Sequence, residues 1–134
     1  MKTETIVYGE PMGKQRPRVT RFSTYTPAKT VNFETLVKLQ YQNKHHHAPL
    51  VGMVGIYIKA CFSIPKSTSK KKHKLMLENI IRPTKKPDAD NIAKIVCDAL
   101  NGIAFLDDKQ IVDARITKWY SDTPRIEIII QEIE

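Results

Sequence analysis

The stretch Pro87-Asp88-Ala89-Asp90-Asn91-Ile92-Ala93-Lys94-Ile95-Val96-Cys97-Asp98-Ala99-Leu100-Asn101-Gly102, continued by Ile103-Ala104-Phe105-Leu106-Asp107-Asp108-Lys109-Gln110, decides how this chain is read. Ile92, Ile95, Val96, Ala99 and Ile103 recur at the i, i+3, i+4, i+7 spacing of a helix with one apolar face. Asn91, Lys94, Asp98 and Asn101 fall on the other side. Asp90 or Asn91 is the expected N-cap, and Gly102 stands where a C-cap glycine belongs. Six of the seven Asp residues in the chain lie between Pro87 and Asp113.

Asp88 and Asp90 are two residues apart, so in extended backbone they project to one side. Adjacent carboxylates repel unless a cation or a proton lies between them. Hard oxygen ligands of this kind suit Mg²⁺, with Mn²⁺ able to substitute, because these ions keep several waters and take few protein carboxylates. A helix of about ten residues is roughly 15 Å long. Asp107 and Asp108, which follow it, can reach Asp88 and Asp90 only if the next loop and strand fold back. Each motif also has a plainer explanation. Asp-x-Asp-Asn before a helix can be a cap and a turn, and Asp-Asp before a strand can be a loop. Asp90–Lys94 and Lys94–Asp98 fit i, i+4 ion pairs worth a few tenths of a kcal/mol.

The acidic window sits in a basic chain. Its 134 residues carry a formal net charge of +8 and a sequence pI of about 9.5. One domain spanning residues 1–134 is expected at this length. The excess of Lys and Arg favours a polyanionic partner, nucleic acid ahead of an anionic membrane. A carboxylate nest inside a cationic protein matches a nuclease, in which acids hold a divalent ion and the surrounding cations hold phosphates. The two cysteines, Cys61 and Cys97, form no Cys-x-x-Cys pair, so a zinc site or a disulfide framework is not indicated. No apolar run reaches the roughly 18 residues of a membrane helix. No signal peptide is seen at the N-terminus, and a soluble cytoplasmic protein is expected.

Thr5 to Tyr8 reads as a strand. The following loop contains Lys14-Gln15-Arg16-Pro17-Arg18, a phosphate-facing candidate that its proline keeps out of a helix. Val19 to Tyr25 reads as a short extended piece. A helix capped by Thr30 or Asn32 is expected to run to about His47, with Val31, Leu36, Leu39 and Gln40 at loosely helical spacing. Leu50 to Phe62 is apolar in both alternating registers, which predicts a central strand covered on both faces. Ser67 or Ser69 caps a short basic helix with Leu75, Met76 and Ile80 inward. Gln110 to Tyr120 and Arg125 to Ile133 read as strands joined at Ser121-Asp122-Thr123-Pro124, hence a C-terminal antiparallel hairpin. The fold class is α+β: a single domain with a mixed sheet and about three helices. His45-His46-His47 reads as a solvated helix end, because consecutive helical residues diverge by about 100° and cannot share one metal.

Lys86-Pro87-Asp88-Ala89-Asp90-Asn91-Ile92-Ala93-Lys94, with Asp98-Ala99-Leu100-Asn101-Gly102 and Leu106-Asp107-Asp108-Lys109-Gln110-Ile111, resembles the signature of the RusA family of Holliday junction resolvases. Lys14-x-Arg16-Pro17-Arg18, Tyr25-Thr26-Pro27 and Pro65-Lys66-Ser67 with Lys70-Lys71-Lys72 extend the resemblance over most of the chain. The resemblance implies a RusA-like fold and a homodimeric, Mg²⁺-dependent endonuclease that cuts branched DNA at four-way junctions by paired nicks. Its metal-binding carboxylates fall on Asp88, Asp90 and Asp108, with Asp107 as a further candidate, and its catalytic lysine on Lys94. DNA phosphates are expected on Lys14, Arg16 and Arg18, on Lys70, Lys71 and Lys72, and on Lys85 and Lys86. Two rival readings stand. In a restriction-type nuclease, Pro87-Asp88 and Asp107-Asp108-Lys109 would supply the motif and Lys109 the catalytic amine. In a non-catalytic nucleic-acid-binding protein, the aspartates would be caps and loops only.

Overall fold

A computed structural model describes residues 1–134. The elements run β1 (Lys2–Tyr8), β2 (Arg18–Val19), β3 (Thr24–Tyr25), α1 (Ala28–Lys44), β4 (Met53–Ser63), α2 (Lys70–Leu77), α3 (Ala89–Leu100), β5 (Ile111–Ser121) and β6 (Arg125–Ile133), with a 3₁₀ turn at Asp108–Gln110 before β5. The class is α+β, with three helices, a mixed four-stranded sheet in the order β1-β6-β4-β5, and a small β2-β3 ribbon. β4 and β5 are parallel; the other pairs in the main sheet are antiparallel.

The expected C-terminal hairpin is not formed. β5 and β6 run in opposite directions, but β4 lies between them and pairs with both. The Asp122–Pro124 connection therefore crosses the end of β4, two strand spacings or about 9.6 Å, well within the reach of that many residues. The sequence contains a warning. A two-residue hairpin favours residues that accept positive φ, and Ser121-Asp122-Thr123-Pro124 has no Gly or Asn.

α3 forms as its pattern requires. Ile92, Ile95, Val96, Ala99 and Leu100 are buried, and Gly102 takes a φ of 79° just beyond the helix. Its N-cap is Asp88, two residues before Asp90 and three before Asn91, the expected caps. α1 differs more. It starts after Pro27, with no side-chain cap, and buries Thr30, Phe33, Val37 and Tyr41. Val31, Leu36 and Leu39 point outward. Thr30 and Tyr41 are polar, which masks this face in a hydropathy pattern. In α2, Ser69 accepts from the Lys72 N–H and Met76 is buried, but Ile80 lies beyond the helix and is exposed. The chain leaves this helix through Asn79, whose φ is 65°.

β4 is central in the sheet, but only one of its faces is covered. Val54, Ile56, Ile58, Ala60 and Phe62 join the core under α1 and α3, with Val7 from β1 and Ile126, Ile128 and Ile130 from β6. Gly55, Tyr57 and Lys59, on the other face, are half-buried. The histidine segment is also more ordered than a solvated helix end. His45 donates to the Glu4 carbonyl at 2.9 Å. His47 donates through Nδ1 to the Ala48 carbonyl at 2.7 Å, so its Nε2 accepts from Tyr41 Oη at 2.6 Å. Thr3 completes the chain at 3.1 Å from Tyr41 Oη. Only His46 is exposed.

The revised α1 face is directly testable. Phe33→Ala removes a buried ring and should cost about 3–5 kcal/mol in urea unfolding. Leu36→Ala, on the outward face, should change stability by less than about 0.5 kcal/mol.

Candidate active site

Asp88 occupies the N-cap of α3 with extended backbone (φ −70°, ψ 154°), yet its side chain makes no capping hydrogen bond. Its backbone carbonyl receives the Ile92 N–H at 3.0 Å, so the helix start is secured by the main chain. Asp90 lies in the first turn, where the helix dipole favours negative charge. Both carboxylates are exposed and form no ion pair. An acid at an N-cap that caps nothing is available for other chemistry.

Asp88 opens on a pocket of about 640 Å³ at the start of α3. One wall is the Gly13–Arg16 loop; the other is Lys86, Pro87 and Asn91. Lys94, one turn into the helix, lines an adjoining cleft with Gln15, Arg16 and Asn91. Lys94 is exposed and pairs with no acid. The i, i+4 pairs expected with Asp90 and Asp98 are absent. Asp98 instead lies 3.2 Å from Lys14 Nζ.

The two acids after α3 have separate tasks. Asp107 caps the 3₁₀ turn: its carboxylate accepts from the Lys109 N–H, while Gln110 reaches back to the Asp107 N–H at 2.8 Å. Asp108 makes no cap. A hydrogen bond that its protonated form donates to the Asp107 carboxylate, slight burial and the charges of Asp107 and Asp98 raise its pKa above the ordinary carboxylate value. Asp107 is lowered by the same hydrogen bond and by the backbone N–H of Lys109. One proton shared between neighbouring acids produces this split.

Burial, then the charges of Asp108 and Asp98, push the Cys97 thiol up to about 11. Asp88, Asp90 and Lys94 stand in the first half of α3, and Asp108 opens the 3₁₀ turn before β5. No three His, Cys, Asp or Glu side chains are gathered into a closed cation-holding group. The donor chemistry suits a hard cation, since every exposed acid here offers carboxylate oxygen and none offers nitrogen or thiolate.

Of the expected phosphate contacts, Arg16 and Lys86 line the Asp88 pocket, and Arg18 lies in the exposed β2 strand. Lys70, Lys71 and Lys72 form the exposed first turn of α2. Lys85 is exposed, with its ammonium 5.8 Å from the Tyr120 ring and 5.9 Å from the Phe62 ring. Two contributors, Glu34 and Arg82, escaped the sequence reading. Glu34 on α1 pairs with Lys14, as Asp98 on α3 also does. No local spacing betrays Glu34, which is 20 residues from its partner. Arg82 also went unnoticed. It stacks 3.6 Å from the Trp119 ring and donates to the Lys118 carbonyl at 2.8 Å, fastening the segment that leads to Asp88 onto the edge of the sheet.

Comparison with known proteins identifies the family of the chain. The model of the endodeoxyribonuclease RusA family matches residues 8–131. The chain is 38% identical over 133 residues to the uncharacterized protein YqaN of Bacillus subtilis (strain 168), covering 95% of this chain and 94% of that one. The chain belongs to the RusA endodeoxyribonuclease family. No helix is long and apolar enough to cross a membrane.

With a pKa near 11, Cys97 should be almost entirely protonated at pH 8. Its alkylation by iodoacetamide should run more than about a hundred-fold slower than that of a free cysteine, and should accelerate as pH rises toward 11. Mass-spectrometric labelling rates across pH check this.

Proposed function

We propose that this protein is a Mg²⁺-dependent endodeoxyribonuclease that resolves four-way DNA junctions by paired nicks. The observation that carries the reading is the uncapped carboxylate of Asp88, opening on a pocket walled by Arg16 and Lys86 in a chain of this family. A structural cap would have spent that carboxylate on the helix N–H groups.

Asp88, Asp90 and Asp108 are the residues that would hold the ion. Asp107 is committed to its turn, which favours Asp108 as the third acid. A bound divalent cation supplies an activated water and neutralises charge on the phosphate and the leaving oxygen. Lys94 pairs with no acid, so its ammonium is available to the phosphoryl oxygens as negative charge develops. Arg16 and Lys86 hold the scissile phosphate against Asp88. Arg18, Lys70, Lys71, Lys72 and Lys85 extend the contact to the flanking backbone without reading bases. The cation excess makes binding steeply salt-dependent.

A four-way junction has two-fold symmetry and must lose two strands, so a two-fold homodimer with one site per chain matches it. The uncovered face of the sheet supports such a pairing. Half-buried Tyr57, Trp119, Ile129 and Ile133 share that face with Arg125 and Glu127, which already pair at 2.8 Å.

Asp90→Asn should abolish cleavage of a labelled four-way junction while retaining binding in a gel shift, since it removes a ligand and relieves repulsion of phosphate. Lys94→Ala should lower the single-turnover rate at saturating Mg²⁺ by about 10²–10³-fold, the usual cost of one transition-state donor. Lys109→Ala should stay near wild type. Undiminished cutting by Asp90→Asn, or a larger loss from Lys109→Ala than from Lys94→Ala, refutes these assignments.

A further inference from the structure

Lys14 opens the basic loop, and its sequence neighbours suggest one more phosphate contact. Its surroundings are different. The side chain is 18% exposed, and its ammonium is held between Glu34 of α1 and, at 3.2 Å, Asp98 of α3. Reaching a phosphate would mean leaving two carboxylates behind without a counter-charge, an arrangement that electrostatics opposes. Burial alone would pull the lysine pKa down; the bonds to Glu34 and Asp98 outweigh it and leave the pKa raised, so the ammonium stays charged.

The same few residues are tied down at each successive atom. The Lys14 N–H donates to the Asn91 carbonyl at 2.9 Å. Gln15 Oε1 accepts from the buried Thr30 hydroxyl at 3.3 Å. Gly13 packs so closely that an added Cβ would lie 2.8 Å from Pro87 Cβ and 2.9 Å from Asn91 Cβ. The loop is a fixed wall, seated on the first turn of α3 and braced from α1. Lys14, Gln15 and Arg16 all line both the Asp88 pocket and the Lys94 cleft, but of the two cations only Arg16 is exposed and carries no ion pair.

We propose that Lys14 is a positioning residue, a charged strut between α1 and α3 that holds the Gly13–Arg16 wall against Asn91, and that Arg16 is the cation this wall presents to phosphate. The catalytic consequence rests on the nuclease reading above; the strut itself does not.

Hydrogen exchange of the full chain tests the strut without DNA. Lys14→Met should raise exchange within residues 12–18, and Lys14→Arg should restore most of the protection. Unchanged exchange in Lys14→Met overturns the proposal, whether or not the protein cuts DNA. On a four-way junction, Lys14→Met should lower the single-turnover rate while leaving the slope of log affinity against log salt as in wild type. Arg16→Ala should reduce that slope by about 0.9, one phosphate contact, with exchange unaltered. Glu34→Gln weakens the strut from outside both clefts and guards against a Lys14 variant that fails to fold. It should lower the rate in the same direction as Lys14→Met. If Lys14 were a phosphate contact, Glu34→Gln would free its ammonium and tighten junction binding, and that result overturns the proposal. Failure of wild type to bind junction DNA would sink the nuclease reading and leave the exchange result to decide on the strut.

Discussion

Burial of one apolar stripe of α3 is the constraint on which the rest of this molecule depends. Ile92, Ile95, Val96 and Ala99 are each no more than 1% exposed and belong to a single core with β4, β6 and α1. Burying side chains of this size contributes about 1.5–3 kcal/mol each, before chain entropy is counted. A helix seated this firmly cannot rotate. Asn91, Lys94 and Asp98 must therefore face outward, and Asp88 must stand at its exposed start. Everything chemical in the chain is then arranged relative to that one helix.

Around it, the cations divide into two kinds. Lys14 is spent internally, between Glu34 and Asp98, and holds a loop in place. Arg16, Lys86 and Lys94 have no internal partner and face the open clefts. The acids divide in the same way. Asp107 and Asp98 are engaged by a turn and by an ammonium, whereas Asp88 and Asp90 have no such engagement. Net charge alone treats these groups as equivalent, and so does a motif. Partner geometry separates residues that organise the site from residues free to meet a phosphate. The Asp107–Asp108 pair shows the same logic within two adjacent positions: one acid closes a capping box and the other carries a raised pKa against it.

The sheet explains how the ends of the site are carried. β4 takes the central position and pairs with both β5 and β6, so the strand following the Asp107-Asp108 turn is bound to the middle of the core. Arg82 and Lys118 then fasten the chain before Asp88 to the β5 edge: Arg82 bonds the Lys118 carbonyl, and Lys118 Nζ bonds the Lys85 carbonyl at 2.5 Å. Both approaches to α3 are thereby anchored to one strand. The face of the sheet turned away from α3 stays half-buried and aromatic, which is an unusual surface to leave to water.

Local sequence determined what depends on near neighbours. The α3 stripe, the Gly102 stop, the Ser69 cap and the concentration of acids around one helix follow from spacing and residue chemistry within a few positions. The same reading failed where a residue's role is set by a distant partner. The inward face of α1 includes Thr30 and Tyr41, whose polar atoms are satisfied by Gln15, Thr3 and His47, so no hydropathy pattern reveals it. The separation of β5 and β6 depends on β4, some 50 residues earlier in the chain, and no turn motif encodes which strand will lie between two others. Lys14 reads as one more surface cation until Glu34 and Asp98 are brought to it. Side-chain periodicity is a property of the local backbone, while pairing of charges and strands is decided by which surfaces the collapsed core leaves adjacent.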